Sequence, residues 1–193
     1  GGGGAGWAAL RPVGRRVGWA ARATDARCAR VPHIHRARFV HAEATAIGGA
    51  SIGAGSSICR GAVLRGDYGS FCVGDRTSIQ DGTVVHASAE LATVIGSDVT
   101  IGHKAIVHAC RIENAVLIGM GAIVLDGAVI RTHGFVGAGA LITPGKEVGE
   151  GELWLGNPAK KVRMLSDAEI QALYYSAQHY VRLKDQYLAE APL

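Results

Sequence analysis

The sequence repeats every six residues over most of its length, and this period constrains the fold more than any other feature. Apolar residues return at six-residue intervals, and glycine often follows them, as at Gly53 and Gly74. An α-helix has a period of 3.6 residues and an ordinary strand a period of 2, so neither produces this pattern. A hexapeptide repeat is typical of a parallel β-helix, in which short strands form three faces and glycine-rich turns form the corners. The anchors are Ile52, Ile58, Leu64, Val73, Ile79, Val85, Ile95, Ile101, Val107, Ile118, Val124, Ile130, Val136, Ile142 and Val148.

The composition fits one such domain. Glycine accounts for 28 of 193 residues, yet hydrophobic residues reach 48% and charged residues 19%, which excludes a low-complexity chain. The longest apolar run, residues 115–125, has 11 residues and is interrupted by glycine, whereas a membrane span needs about 18. We therefore assign residues 43–165 to an all-β domain, a parallel β-helix with its own core.

The segment ahead of this domain, residues 1–42, is predicted to be a basic arm of helical or extended structure. Residues 1–40 contain eight arginines and one acidic residue, Asp25, while residues 41–193 contain 12 basic and 15 acidic residues. The body therefore lacks the basic face that nucleic-acid binding requires. The arm has the arginine-rich, acid-poor composition of a mitochondrial transit peptide. We interpret the segment as an arm docked on a partner surface, such as anionic lipid or a larger assembly, with a solvated basic tail as the alternative.

A helix is predicted for residues 166–193 after the domain. Ser166 and Glu169 have the spacing of a capping box, in which the two side chains satisfy the first free N–H groups of a helix. Apolar residues then follow at helical spacing, which predicts one face packed on the β-helix. They are Ile170, Leu173, Tyr174, Ala177, Val181 and Leu188.

The six-residue phase breaks three times. The next anchors in the series follow Leu64, Val85 and Val107 after 9, 10 and 11 residues. We interpret these breaks as loops extruded at corners of the β-helix. All three lie beside a cluster of polar residues.

The first part of that cluster directly follows three anchors. Arg65, His86 and His108 come after Leu64, Val85 and Val107, which are 21 and 22 residues apart, or one coil plus a loop. The three side chains are therefore predicted to form a column on one face, with the two imidazoles about one strand spacing apart. At that spacing two histidine nitrogens can converge on one ion at about 2.0–2.1 Å.

A second column is predicted one face earlier. His103 lies two residues after Ile101, and Asp81 lies two residues after Ile79. Within one chain His103 then points away from the other two histidines, but threefold packing brings it to the His86–His108 pair of a neighbour. The same packing brings Asp81 to the neighbour's Arg65. The spacing thus predicts a three-histidine metal site and a trimer.

Each histidine taken alone is more often a surface or capping residue than a ligand. Three histidines in coil register, accompanied by Arg65, Asp67, Gln80 and Asp81, favour a metal instead. Neutral imidazoles with an open fourth position suit Zn²⁺, although Co²⁺ or Fe²⁺ fits the same ligands. Zinc lowers the pKa of bound water to near 7 and so supplies hydroxide at neutral pH. Gln80 is placed to orient the nucleophile or the substrate, with Asp67 as a supporting residue.

Five strings in the chain resemble the γ-class carbonic anhydrases. They are L-R-G-D (64–67), V-G-D-R-T-S-I-Q-D-G-T-V-V-H (73–86), V-T-I-G-H-K-A-I-V-H-A-C (99–110), I-G-M-G-A-I-V-L-D-G (118–127) and W-L-G-N-P-A-K (154–160). The match runs from about residue 44 to residue 188. This resemblance implies a left-handed β-helix trimer with zinc at the subunit interfaces, and it implies reversible hydration of CO2 to bicarbonate.

The resemblance also implies roles for individual residues. His86, His103 and His108 correspond to the zinc ligands, and Gln80 to a residue beside the metal-bound water. Arg65, Asp67 and Asp81 correspond to residues that support the interface. In family members of the short type a tyrosine of the C-terminal helix approaches the site, a role that Tyr180 would take here. A packing tyrosine is the alternative for Tyr180.

One departure separates this chain from the archaeal members that are strong catalysts. Those proteins carry a glutamate after R-G-D and an acidic loop that exports protons. Here Tyr68 takes the first position, and the short loop of residues 87–91 holds one acid, Glu90. A catalytically weak structural subunit is therefore an alternative to an active enzyme. A hexapeptide acyltransferase, with a histidine base and a coenzyme A groove, is a second alternative.

With Tyr68, the short loop of residues 87–91 and the basic arm, the chain resembles the γ-carbonic anhydrase subunits of mitochondrial complex I. That resemblance implies a homotrimer or heterotrimer peripheral to the membrane, on the matrix side of the inner membrane. It further implies that the N-terminal arm contacts the membrane arm of the complex.

Overall fold

The structure is a computed structural model that describes residues 33–34 and 38–189. Residues 1–32, which contain most of the predicted N-terminal arm, lie outside the described residues. The described chain forms a left-handed parallel β-helix of about six turns followed by one helix. The predicted all-β solenoid with a C-terminal α-helix is therefore confirmed.

The repeat appears as many very short strands. In chain order the elements are β1 (His33–Ile34), β2 (Phe39–Val40), β3 (Thr45–Ile52), β4 (Ser57–Ile58), β5 (Val63–Val73), β6 (Ser78–Ile79), β7 (Val84–His86), β8 (Thr93–Ile95), β9 (Thr100–Ile101), β10 (Ile106–His108), β11 (Arg111–Ile112), β12 (Leu117–Ile118), β13 (Ile123–Val124), β14 (Val129–Ile130), β15 (Phe135–Val136), β16 (Leu141–Ile142), β17 (Glu147–Val148), β18 (Glu152–Gly156), β19 (Ala159–Met164) and α1 (Asp167–Ala189).

These strands stack into three faces of parallel pairs. Face 1 contains the first halves of β3 and β5, then β7, β10, β13 and β16. Face 2 contains β1, the second halves of β3 and β5, then β8, β11, β14 and β17. Face 3 contains β2, β4, β6, β9, β12, β15 and β18, and β19 closes it as an antiparallel edge strand. Phe39 pairs with Ser57, which pairs with Ser78, so strand pairing begins ahead of residue 43.

The anchors of the six-residue repeat form the core. All fifteen point inward, and none exposes more than 3% of its surface. Small residues such as Ala62, Ala105 and Ala122 fill the space between them and are fully buried. At the corner between faces 1 and 2, Gly48 has a φ of +84°, and a side chain there would meet the carbonyl oxygen of Gly66 at 2.2 Å. This corner therefore requires glycine, because only glycine accepts both that φ and that approach.

All three phase breaks occur at the corner between faces 1 and 2. The first is a bulge, since Gly48 pairs with Gly66 whereas Gly49 pairs with Ser70. The second is a loop of residues 87–92 between β7 and β8, so both predicted insertions are confirmed.

The third predicted loop, after Val107, is wrong. Ile112 is 1% exposed and serves as the anchor of β11, five residues after Val107. This corner is one residue shorter than a regular one, and the prediction passed over Ile112 because the shortened corner moved it out of phase.

Helix α1 lies along face 3 and runs back toward the beginning of the solenoid. The capping box is confirmed, since the Ser166 backbone N–H donates to Glu169 Oε2 at 2.9 Å. Further along, Thr100 Oγ1 and Ser176 Oγ lie 3.0 Å apart, and the rings of Phe39 and Tyr187 lie 5.7 Å apart. Within the described chain, no helix combines the length and apolar character that crossing a membrane requires.

Candidate metal centre

Three polar residues occupy equivalent positions at the end of successive strands of face 1. Arg65 of β5 pairs with His86 of β7, which pairs with His108 of β10. The imidazole centroids lie 5.0 Å apart, and His86 Nδ1 is 3.1 Å from His108 Nε2. The predicted column is therefore present, and its two imidazoles converge.

Each of these imidazoles is held by a carboxylate on its other nitrogen. Asp67, in the bulge after Arg65, places Oδ1 3.0 Å from His86 Nε2. Asp126, at the corner after β13, places Oδ1 2.6 Å from His108 Nδ1. The two histidine side chains are only 16% and 29% exposed, so both imidazoles have little freedom to turn.

The charge of Asp67 is stabilised by its neighbours. Burial opposes ionisation, but the hydrogen bond with His86, a backbone N–H and the charge of Arg65 together outweigh it and lower the pKa of Asp67 below its ordinary value. Arg65 Nε lies 3.6 Å from Asp67 Oδ1. Asp67 is therefore an ionised acceptor for His86 at neutral pH.

This hydrogen bonding determines where the lone pairs of the imidazoles lie. A carboxylate only accepts hydrogen bonds, so His86 Nε2 and His108 Nδ1 must be the donors. In the neutral rings the lone pairs then lie on His86 Nδ1 and His108 Nε2, the two atoms that face each other at 3.1 Å. Two lone pairs at that distance repel unless a proton or a cation lies between them.

The spacing of these two nitrogens fits a metal ion. Two ligands at about 2.0–2.1 Å from a tetrahedral zinc are about 3.3 Å apart. The observed separation of 3.1 Å is close to this value. Neutral imidazoles whose outer N–H groups donate to carboxylates are also the usual form of zinc-bound histidine.

His103 lies on the opposite edge of face 1. Its Nδ1 is 3.0 Å from Asp81 Oδ2, and the two side chains are 47% and 51% exposed. Lys104 N–H donates to the carbonyl of Asp81, so the two corners stack as predicted. Within residues 33–34 and 38–189 of one chain, no group of three or more His, Cys, Asp or Glu side chains is arranged around a metal position.

The other predicted site residues are placed less close to the imidazoles. Gln80 is 3% exposed at the corner between faces 3 and 1. Tyr180 lies on α1, where its ring meets that of His179 at a centroid distance of 5.3 Å. In the described part of the chain, no hydrogen bond or ring contact joins either residue to His86, His103 or His108.

Asp126 is a site residue that sequence reasoning missed. It occurs in the L-D-G string two residues after the Val124 anchor, and it follows His108 by 18 residues, one regular coil. This spacing is the sequence feature that places Asp126 beside His108. It is a weak signal, because Asp126 lies at a corner, where exposed polar residues are common.

Comparison with known proteins indicates the family of the chain. No protein-family profile matches the chain. Gamma carbonic anhydrase 1, mitochondrial, of Arabidopsis thaliana is 44% identical over 167 residues, covering 83% of this chain and 61% of the relative. The protein YrdA of Escherichia coli is 41% identical over 65% of this chain and 72% of its own length. This chain belongs to the γ-carbonic anhydrase family.

The similar solved structures share the hexapeptide-repeat fold of this chain. A hexapeptide transferase family protein from Anaplasma phagocytophilum is 46% identical and superposes with a TM-score of 0.78, covering 81% of this chain and 92% of that protein. A second Arabidopsis thaliana relative is Gamma carbonic anhydrase 2, mitochondrial. This γ-carbonic anhydrase family member spans about three fifths of the length of these two relatives, 61% of the first and 59% of the second.

Proposed function

We propose that this protein is a zinc-dependent γ-type carbonic anhydrase that interconverts CO2 and bicarbonate. The observation that carries the proposal is the His86–His108 pair, whose unprotonated nitrogens converge at 3.1 Å while carboxylates occupy their outer nitrogens. Zinc is the metal that this set of neutral nitrogen ligands favours, and Co²⁺ and Fe²⁺ fit the same atoms.

A neighbouring copy would supply the third ligand. His103 and the His86–His108 pair lie on opposite edges of face 1 and are both partly exposed. Between them the face carries an outward apolar row whose members include Val84 and Ile106, which are 38% and 39% exposed. Burying this row against another prism would bring one edge to the other, so we propose a trimer of identical or related chains.

When bound, zinc supplies a hydroxide nucleophile at neutral pH. Residues of the chain itself would orient the ligands and the substrate and would support the interface. Asp67 and Asp126 hold the imidazoles in the orientation that binding requires. The buried carboxamide of Gln80 would orient the substrate, Tyr180 would approach from α1, and Arg65 would meet Asp81 across the interface.

The test is to measure metal content and CO2 hydration on the purified assembly. We expect zinc at about one per complete interface, with zinc and hydration both lost in His108→Ala. His133→Ala is the matched control, because His133 lies at a different corner and contacts Tyr174 at 2.9 Å. Zinc without hydration would favour the structural role, and a wild-type protein that binds no metal would refute the site.

A position on the matrix side of the mitochondrial inner membrane is the second part of the proposal. Two relatives are mitochondrial by name, and residues 1–40 contain eight arginines suited to an anionic surface. We propose that the segment 1–42 attaches the trimer peripherally to the membrane arm of complex I. Co-purification of the full chain with that complex, compared with a chain that begins at residue 38, tests this directly.

Two other functions have specific support. A structural subunit of the same complex with little activity is favoured by Tyr68 and by the short loop that carries Glu90. An acyltransferase is favoured by the similarity to the hexapeptide transferase family protein. Acyl transfer from an acyl-coenzyme A, with no zinc-dependent hydration of CO2, would establish the acyltransferase function.

A further inference from the structure

The carboxylate–imidazole contact between Asp126 and His108 is shorter than the one between Asp67 and His86. The carboxylate Oδ1 lies 2.6 Å from His108 Nδ1, within the range of a charge-assisted hydrogen bond. We propose that Asp126 is a positioning residue, which fixes His108 as its Nδ1–H tautomer and so presents Nε2 as the ligand atom. This inference rests on the proposed function, because the ligand role of His108 does.

The backbone around Asp126 holds the carboxylate in place. The Asp126 carbonyl accepts a hydrogen bond from Gly145 N–H at 2.8 Å, which ties this corner to the next coil. Toward the previous coil, Gly127 N–H donates to the Ala109 carbonyl at 2.8 Å, and Ala109 N–H donates to the His86 carbonyl at 3.0 Å. One series of backbone hydrogen bonds thus connects the corner of Asp126 to the strand of His86.

The short corner after His108 contributes to this arrangement. β10 and β11 are separated by two residues, Ala109 and Cys110, and Ala109 adopts a φ of 46°. Cys110 is 3% exposed and belongs to the core. With no loop extruded there, the corner of Asp126 stacks directly against that of His108, and the carboxylate reaches the imidazole.

Asp67 and Asp126 act on opposite nitrogens of their histidines. Asp67 contacts Nε2 of His86, whereas Asp126 contacts Nδ1 of His108. A neutral imidazole without a partner divides between its two tautomers, and an acceptor at one nitrogen selects the form whose other nitrogen carries the lone pair. Because the two carboxylates select opposite tautomers, the two free lone pairs converge.

Zinc affinity of the full-length assembled protein provides the first test, measured by competition with a chelator at neutral pH. We expect Asp126→Ala to weaken zinc binding about 10- to 100-fold. Asp126→Asn should lose less, because its carbonyl oxygen still accepts from Nδ1–H. Glu147→Ala is the control: it removes a carboxylate that binds Arg131 at 2.8 Å on face 2, and it should keep the wild-type affinity.

The tautomer of His108 provides a second readout that does not depend on zinc. Side-chain ¹⁵N spectra of the metal-free full chain should show Nδ1–H at His108 in the wild type and in Asp126→Asn, and a mixture of tautomers in Asp126→Ala. A wild-type protein that binds no zinc would refute the proposed function, and the spectra would still decide the inference. Unchanged zinc affinity and an unchanged His108 tautomer in a folded Asp126→Ala protein would overturn it.

Discussion

His86 Nδ1 lies 3.1 Å from His108 Nε2, although the two residues are 22 positions apart in the chain. Parallel pairing of β7 with β10 in register brings them together, and carboxylates on their outer nitrogens leave two lone pairs facing each other. His103 does not complete this pair within the chain, since it contacts Asp81 on the other edge of face 1. In the proposed metal site the His86–His108 pair would form one half, and His103 on the opposite edge of the same face would form the other half in a neighbouring chain.

Co-assembly of two inactive variants tests this division directly. His103→Ala retains the His86–His108 pair, and His108→Ala retains His103, so neither variant alone forms a complete site. In trimers assembled from an equal mixture, about one quarter of the interfaces combine the intact half of each variant. We expect zinc binding and CO2 hydration to return to about that fraction of the wild-type values.

The matched control is a mixture of His86→Ala with His108→Ala. Both changes fall in the same half-site, so this mixture should regain almost no zinc. Recovery in the control mixture, or none in the first mixture despite confirmed co-assembly, would contradict a site shared between chains.

Assembly should depend on the apolar row of face 1. Ile106 points outward from β10, is 39% exposed, and lies between His103 and His108 in the sequence. Placing a charge there would leave it unpaired in the interface, so Ile106→Arg should convert trimers to monomers that remain folded. Sedimentation and circular dichroism together measure this result. Val129→Arg, an outward change on β14 of face 2, should leave the trimer intact, and a trimeric Ile106→Arg protein would refute the proposed interface.

The fold was largely predictable because one residue in six must face the interior of the prism. The interior of each coil is filled by three such residues, so the repeat survives in the sequence, and all fifteen predicted anchors are buried. The column of Arg65, His86 and His108 followed from the same register. Counting from the nearest anchor placed all three correctly, even across corners of irregular length.

The parts that were not predicted lie at the corners. The six-residue spacing holds along the strands, whereas the length of a corner can vary, and the shortened corner after His108 moved Ile112 out of phase. The contact of Asp126 with His108 depends on how two neighbouring corners stack. The 18-residue spacing of His108 and Asp126 places the two corners one coil apart, but it does not by itself show that the two side chains meet.

The stacked core should be sensitive to the volume of single side chains. Ile101 is fully buried, and its backbone pairs with Ile79 on one side and Ile118 on the other. Ile101→Ala should lower the free energy of unfolding by about 2–5 kcal/mol, and Ile101→Val by about 0.5–1.5 kcal/mol, because the cavity is larger in the first case. Denaturant unfolding of both variants gives these values. Equal losses would indicate that neighbouring coils collapse into the space.

Helix α1 should lose part of its anchoring in acid. Hydrogen bonds from Arg163 and from the Ser166 backbone lower the pKa of Glu169 from 4.5 to about 2. Because the pKa is lower in the folded than in the unfolded chain, this contribution to stability is complete above about pH 4.5 and disappears as the pH falls toward 2. Thermal midpoints recorded across that range should therefore fall more steeply for the wild type than for Glu169→Gln, which has no carboxylate to protonate there. The control is Glu150→Gln, which removes an exposed carboxylate outside the capping box and should show the same dependence of the thermal midpoint on pH as the wild type. If Glu169→Gln also shows the wild-type dependence, the capping box does not account for the acid sensitivity of the helix.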